Sequence, residues 1–87
     1  MCTMIVENAN LEGSGKGNQG WFALKQAHVS YDHPSHAPYE HALNIDFVNE
    51  SQGLSARVAV ELSEASAREL VRTILAVLDQ AEAAGHY

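Results

Sequence analysis

The chain has 87 residues, a net charge of −6 from 11 acidic and 5 basic residues, and one cysteine. These figures allow one thinly cored domain, 1–87, and exclude an internal disulfide; they also argue against a nucleic-acid partner, because a phosphate backbone needs a basic surface. No apolar run is long enough for a bilayer and MCTMIVENAN lacks the basic start of an export signal, so the expectation is a cytoplasmic protein with no membrane partner.

In chain order, residues 3–9 (TMIVENA) read as a first strand. Removal of Met1 would give Cys2 an amine beside its thiol, a chelating pair; a small apolar residue at a strand start is the plainer reading. NLEGSGKGNQG reads as a flexible turn or hairpin loop. Its GSGKG does not make a phosphate-binding loop. Asn10 stands where the first glycine is required, and Gly17 stands where a hydroxyl should follow the lysine.

WFALKQAHVSYD, 21–32, reads as a long second strand, HPSHAP as a connection, and YEHALNIDFVN, 39–49, as a third strand with His41, Leu43, Ile45 and Phe47 on one face. ESQG is a turn. LSARVAVEL, 54–62, alternates cleanly: Leu54, Ala56, Val58, Val60 and Leu62 point one way, Ser55, Arg57 and Glu61 the other. Ser63 then suits a helix N-cap, with Glu64 in the first turn, where the helix dipole favours a carboxylate. Ala67, Leu70, Val71, Ile74, Val77, Leu78 and Ala81 form one apolar stripe, and Gly85 suits the position just past the helix end. The expected fold is α+β: a four-stranded antiparallel meander with one C-terminal amphipathic helix packed on one face, ββββα.

The start MCT and the blocks SGKGNQGWF, YDHPSHAPYEHALNIDF and ARVAVELSEASAR resemble a family of short bacterial proteins of unknown function. The resemblance spans most of the chain, and the His-Pro block is its most distinctive part. It implies no activity, so function rests on the residues.

Four of the five histidines, His28, His33, His36 and His41, fall within fourteen positions. A hairpin of strands two and three that sets His28 opposite His41 also sets Gln26 opposite Leu43, Leu24 opposite Ile45 and Phe22 opposite Phe47. Opposed Cβ atoms lie about 5 Å apart, so two such imidazoles could share an ion while His33 or His36 closes the shell. Imidazole suits a divalent transition metal, Zn, Ni, Cu or Fe, and three histidines with an open position suit catalysis. Asp32 and Glu40 flank the group as further ligands, as partners that fix an imidazole tautomer, or, for Glu40, as a general base. Tyr31 and Tyr39 could bond a bound anion. The spacing H-x4-H-x2-H-x4-H matches no diagnostic motif. Two other readings stand beside the metal: a metal-free pocket for a small-molecule ligand, and a polar hairpin whose histidines only make turns.

Trp21, Ala23, Ala27, Val29 and Tyr31 alternate with the Phe22 set and leave an apolar second face. One helix cannot cover both faces. The expectation is a homodimer or a multiple of one, with Trp21 at or near the contact, and a non-catalytic interaction or accessory module is the alternative to a metal-dependent enzyme.

Overall fold

A computed structural model describes residues 5–85; Cys2, His86 and the first two residues of the expected opening strand lie outside the described residues. Strands β1 (Ile5–Gly17), β2 (Gly20–Asp32), β3 (Ala42–Val48) and β4 (Arg57–Leu62) form one antiparallel sheet in the order β1-β2-β3-β4, followed by helix α1 (Glu64–Ala83). This is the expected ββββα meander with a C-terminal helix.

The glycine-rich stretch is strand rather than loop. β1 runs through it to Gly17, with one irregularity between Asn10 and Gly13, and the turn to β2 is only Asn18 and Gln19, closed by Gly20 at φ 107°. The reason lies in Phe22. A Cβ on Gly15 would lie 3.2 Å from the Phe22 ring, and one on Gly17 would lie 2.8 Å from the Ser55 carbonyl oxygen. Bare backbone at these two positions lets the end of β1 close over the buried Phe22 and approach the start of β4.

The β2–β3 register corrects the expected one. His28 lies opposite Asp46, not His41; Ala27 pairs with Phe47, Val29 with Ile45 and Tyr31 with Leu43. β4 continues the apolar rows, setting Leu62 beside Leu43, Val60 beside Ile45 and Val58 beside Phe47. The middle row, Val29, Ile45 and Val60, is β-branched throughout, and the aromatic Tyr31 and Phe47 pair with aliphatic neighbours in the rows beside it. The connection 33–41 is too long to impose a register by turn geometry, so face complementarity sets it. Phe22 and Leu24 fall outside the β2–β3 ladder and pack under the β1 glycines instead.

Three smaller differences follow. The third strand starts at Ala42, leaving His41 in the connection; the fourth starts at Arg57, with Leu54 exposed; and Glu50–Gln52 form a 3-10 helix. The buried Asn49 anchors that helix. Its Nδ2 donates to the Ala23 carbonyl at 2.9 Å, and its Oδ1 accepts from the Ser51 amide and hydroxyl. At α1, Ser63 Oγ accepts from the Ser66 amide, and Gly85 at φ 80° ends the helix as expected.

The helix touches the sheet sparsely. Its N-terminal half faces β3, and no residue of α1 is buried. The radius of gyration is 14.7 Å, where a compact chain of this length would have about 12 Å.

Candidate functional site

Two surfaces of the sheet carry the chemistry. On one, even-numbered residues of β2 and β3 meet β4 in polar rows: Ser30, Asn44 and Glu61 in one, His28, Asp46 and Ala59 in the next. Ser30, Asn44, Glu61, Asp46 and Ala59 of these rows line a shallow pocket of about 230 Å³ together with Asp32, His33, Ser35 and Arg57; His28 lies outside it. Arg57 Nη2 donates to Asp46 Oδ1 at 2.7 Å. Both side chains are substantially exposed, so solvent screens the pair and it contributes little. Asn44 Oδ1 is buried with no hydrogen-bond partner among the described residues.

Glu61 organises the rim. Its carboxylate accepts three consecutive backbone amides, from Ser35 at 2.5 Å, His36 at 3.0 Å and Ala37 at 2.8 Å, and so pins the His-Pro loop over the polar face. The Ala37 amide, then the Ser35 amide, hold this carboxyl below the ordinary carboxylate value of 4.5; partial burial opposes them, while the His36 amide and charge assist.

The structure separates the histidines. His28 lies on the polar face, its Nδ1 2.6 Å from Asn8 Oδ1 on the neighbouring strand. His36 is exposed, and its backbone amide is what reaches Glu61. His33 and His41 come together, their rings stacked at 4.8 Å, and His41 stacks in turn on Tyr31 at 5.7 Å. His33 Nδ1 donates to the Glu40 carbonyl oxygen at 2.8 Å, and the His33 amide donates to Asp32 Oδ1 at 2.7 Å. Glu40 thus meets this group through its backbone. Among the described residues no three His, Cys, Asp or Glu side chains are placed to hold one metal ion.

The opposite surface is apolar. Val29, Tyr31, Leu43, Ile45 and Leu62 of the sheet face Ala67, Leu70, Val71 and Ile74 of α1 across an open groove of about 590 Å³, with Glu64 and Arg68 at its rim. Arg68 is paired with Glu64 at 3.1 Å. Apolar walls with few polar groups suit an apolar occupant. Leu70, Val71, Ile74, Leu75, Val77 and Leu78 are each between 43% and 59% exposed, so the stripe read from the sequence is a helix face without a cover in the single chain.

Sequence reasoning missed Glu61 as an organiser and missed the groove. Glu61 lies 24 to 26 positions from the amides it holds, and no local pattern announces a contact that distant. The groove had a signal, the unbroken apolar alternation of Val29 and Tyr31, but it became a groove wall only once the register was known.

No helix among the described residues is long and apolar enough to cross a membrane. No curated protein and no solved structure matches the chain. The model of a family of unknown function, DUF6295, matches residues 1–87, and the chain belongs to that family.

Proposed function

We propose that this protein is a non-catalytic assembly module that works as a homodimer, or as a multiple of one, through its apolar groove and the stripe of α1. The observation that carries the reading is the surface left open. The chain exposes 6704 Å², whereas a compact monomer of 9.4 kDa exposes about 5,000 Å². The excess, 6704 less 5,000, is about 1,700 Å², and a standard interface covers about 800 Å² per partner. Six aliphatic side chains of α1, Leu70, Val71, Ile74, Leu75, Val77 and Leu78, stand exposed on one element, and covering them gains hydrophobic free energy at about 25 cal/mol per Å². Trp21 lies at the hairpin end of β2, opposite Lys16 of β1, and is 71% exposed, a second apolar surface on which a further dimer could build.

Mass action supplies the test. Unfolding of an obligate dimer depends on protein concentration. The melting temperature of the untagged protein should rise by several degrees over a hundredfold increase in concentration; a constant value would sink the reading.

A second reading has one observation behind it: the adjacency of His33 and His41. A divalent transition metal, Zn, Ni, Cu or Fe, would take these two as ligands and need others from outside the pair. The near-parallel rings, 25° apart, aim their nitrogens side by side rather than at one point, which makes this the weaker proposal. Metal analysis of untagged protein decides it; fewer than one ion per two chains after loading with Zn²⁺ and desalting would end it.

A further inference from the structure

The dimer reading leaves open which part of a second copy fills the groove, and the helix sequence carries that information. The apolar stripe of α1, read from its N-terminal end, is Ala67, Leu70, Val71, Ile74, Val77, Leu78, Ala81. About Ile74 it is a palindrome in spacing and in residue type. Positions three away are both valine, positions four away both leucine, and positions seven away both alanine. At about 100° per residue these seven side chains lie within about 60° on either side of Ile74, one continuous face. An isologous interface requires that residue i meet residue j while j meets i. Any antiparallel pair about a twofold axis satisfies this; what the mirrored stripe adds is that each contact across the axis at Ile74 joins like with like, valine to valine, leucine to leucine and alanine to alanine.

We infer that two α1 helices pair antiparallel about a twofold axis at Ile74, and that the C-terminal half of each stripe occupies the other chain's groove. This rests on the dimer reading above. The partner's Ala81 then meets Ala67, the partner's Leu78 meets Leu70, the partner's Val77 meets Val71, and Ile74 meets its own copy. The groove fits this occupant for two reasons. Its helix wall is the N-terminal half of the stripe, Ala67, Leu70, Val71 and Ile74, and its sheet wall is Val29, Tyr31, Leu43, Ile45 and Leu62. The C-terminal stripe residues Val77 and Leu78 are outside that lining and 59% exposed, so they are free to enter another chain's groove.

Charge agrees with the antiparallel direction. It places Arg68 opposite the partner's Gln80 and Glu64 opposite the partner's Ala84, so neither rim charge meets its like. A parallel pair would set Arg68 beside the partner's Arg68 and Glu64 beside the partner's Glu64. Glu69 and Asp79, which would correspond across the antiparallel pair, sit about 140° from Ile74 on the outer side of the helix. Opposed helix dipoles also favour the antiparallel order.

Cysteine crosslinking in the full chain tests the arrangement, in a Cys2→Ser background so that the only thiol is the introduced one. Under mild oxidation Ile74→Cys should crosslink most of the protein to a covalent dimer. Ala67→Cys alone should not, because its copies lie 14 residues apart along the pair, about 21 Å at 1.5 Å per residue. A mixture of Ala67→Cys with Ala81→Cys should crosslink, and both are near-isosteric changes that keep the test alive if Ile74→Cys folds poorly. Light scattering on the same samples before oxidation separates the two claims. A dimeric mass with no link in the Ala67/Ala81 mixture, or with self-linked Ala67→Cys, overturns the antiparallel pairing and leaves the dimer standing. A monomeric mass overturns both.

Discussion

The two faces of the sheet are finished to different degrees. On the polar face side chains find partners within the chain: Glu61 takes three amides of the His-Pro loop, Arg57 takes Asp46, and His28 meets Asn8. On the apolar face the helix and the sheet each present aliphatic side chains, and a groove of about 590 Å³ stays open between them. A buried polar group left unpaired costs about 1–3 kcal/mol, which favours such pairing within the chain; among the described residues Asn44 Oδ1 is the buried side-chain atom that lacks it. Apolar area has no such local requirement and can wait for another surface. In the reading proposed above, the polar face holds the monomer's shape while the apolar face meets a second copy.

The sharpest way to break this comparison is to charge the apolar side where the monomer does not use it. Leu78 lies on the stripe but outside the chain's own groove. Leu78→Asp should therefore raise the dimer dissociation constant at least about a hundredfold, since a buried unpaired carboxylate costs several kcal/mol. Helix content should hold near its wild-type level at high protein concentration in circular dichroism. An unchanged sedimentation profile would mean that the stripe is not an interface.

Next in size is the closure of β1 over Phe22. Gly17→Ala places a methyl 2.8 Å from the Ser55 carbonyl oxygen, backbone that cannot swing aside. A loss of about 1–3 kcal/mol in urea unfolding is expected. Gly15→Ala meets side chains alone, the Phe22 ring at 3.2 Å and Leu24 at an ordinary 3.5 Å, and should cost less, so equal effects would place the tight approach elsewhere.

The polar face gives a pH-dependent result. The folded state lowers the Glu61 carboxyl from its ordinary value, so its contribution is present above about pH 4.5 and is lost as pH falls through the folded value. The amides of Ser35, His36 and Ala37 should show their largest NMR shift changes in that acid range, and Glu61→Gln should remove the transition. A titration of these amides centred near neutrality would point to a neighbouring histidine instead. The smallest effect belongs to the helix start: Ser63→Ala should cost about 1 kcal/mol by removing the acceptor for the Ser66 amide. No measurable change would show that another group caps the helix.

The parts of this architecture legible in sequence were the ones written locally. The alternation of Val58, Val60 and Leu62, the stripe of α1, the Ser63 cap and Gly85 are all visible within a few residues of themselves, and the structure has each where it was read. The register of β2 on β3 was not local. The nine residues between those strands leave the pairing to whichever faces match best, and the match of Val29 with Ile45 and Tyr31 with Leu43 outweighed the one that joined His28 to His41. That single difference separated His28 from His41 and turned the second apolar face into the wall of a groove. The glycines misled for a related reason: they serve a close approach to Phe22 rather than flexibility, and only the fold shows what approaches them.

The central claim is that the open apolar side is an interface between two copies of this chain. Light scattering coupled to size exclusion, on untagged wild-type protein from micromolar concentration upward, measures this directly. The account predicts a mass of twice 9.4 kDa or a multiple of that dimer. A mass of 9.4 kDa throughout, with Trp21 fluorescence that does not change with concentration, would contradict it.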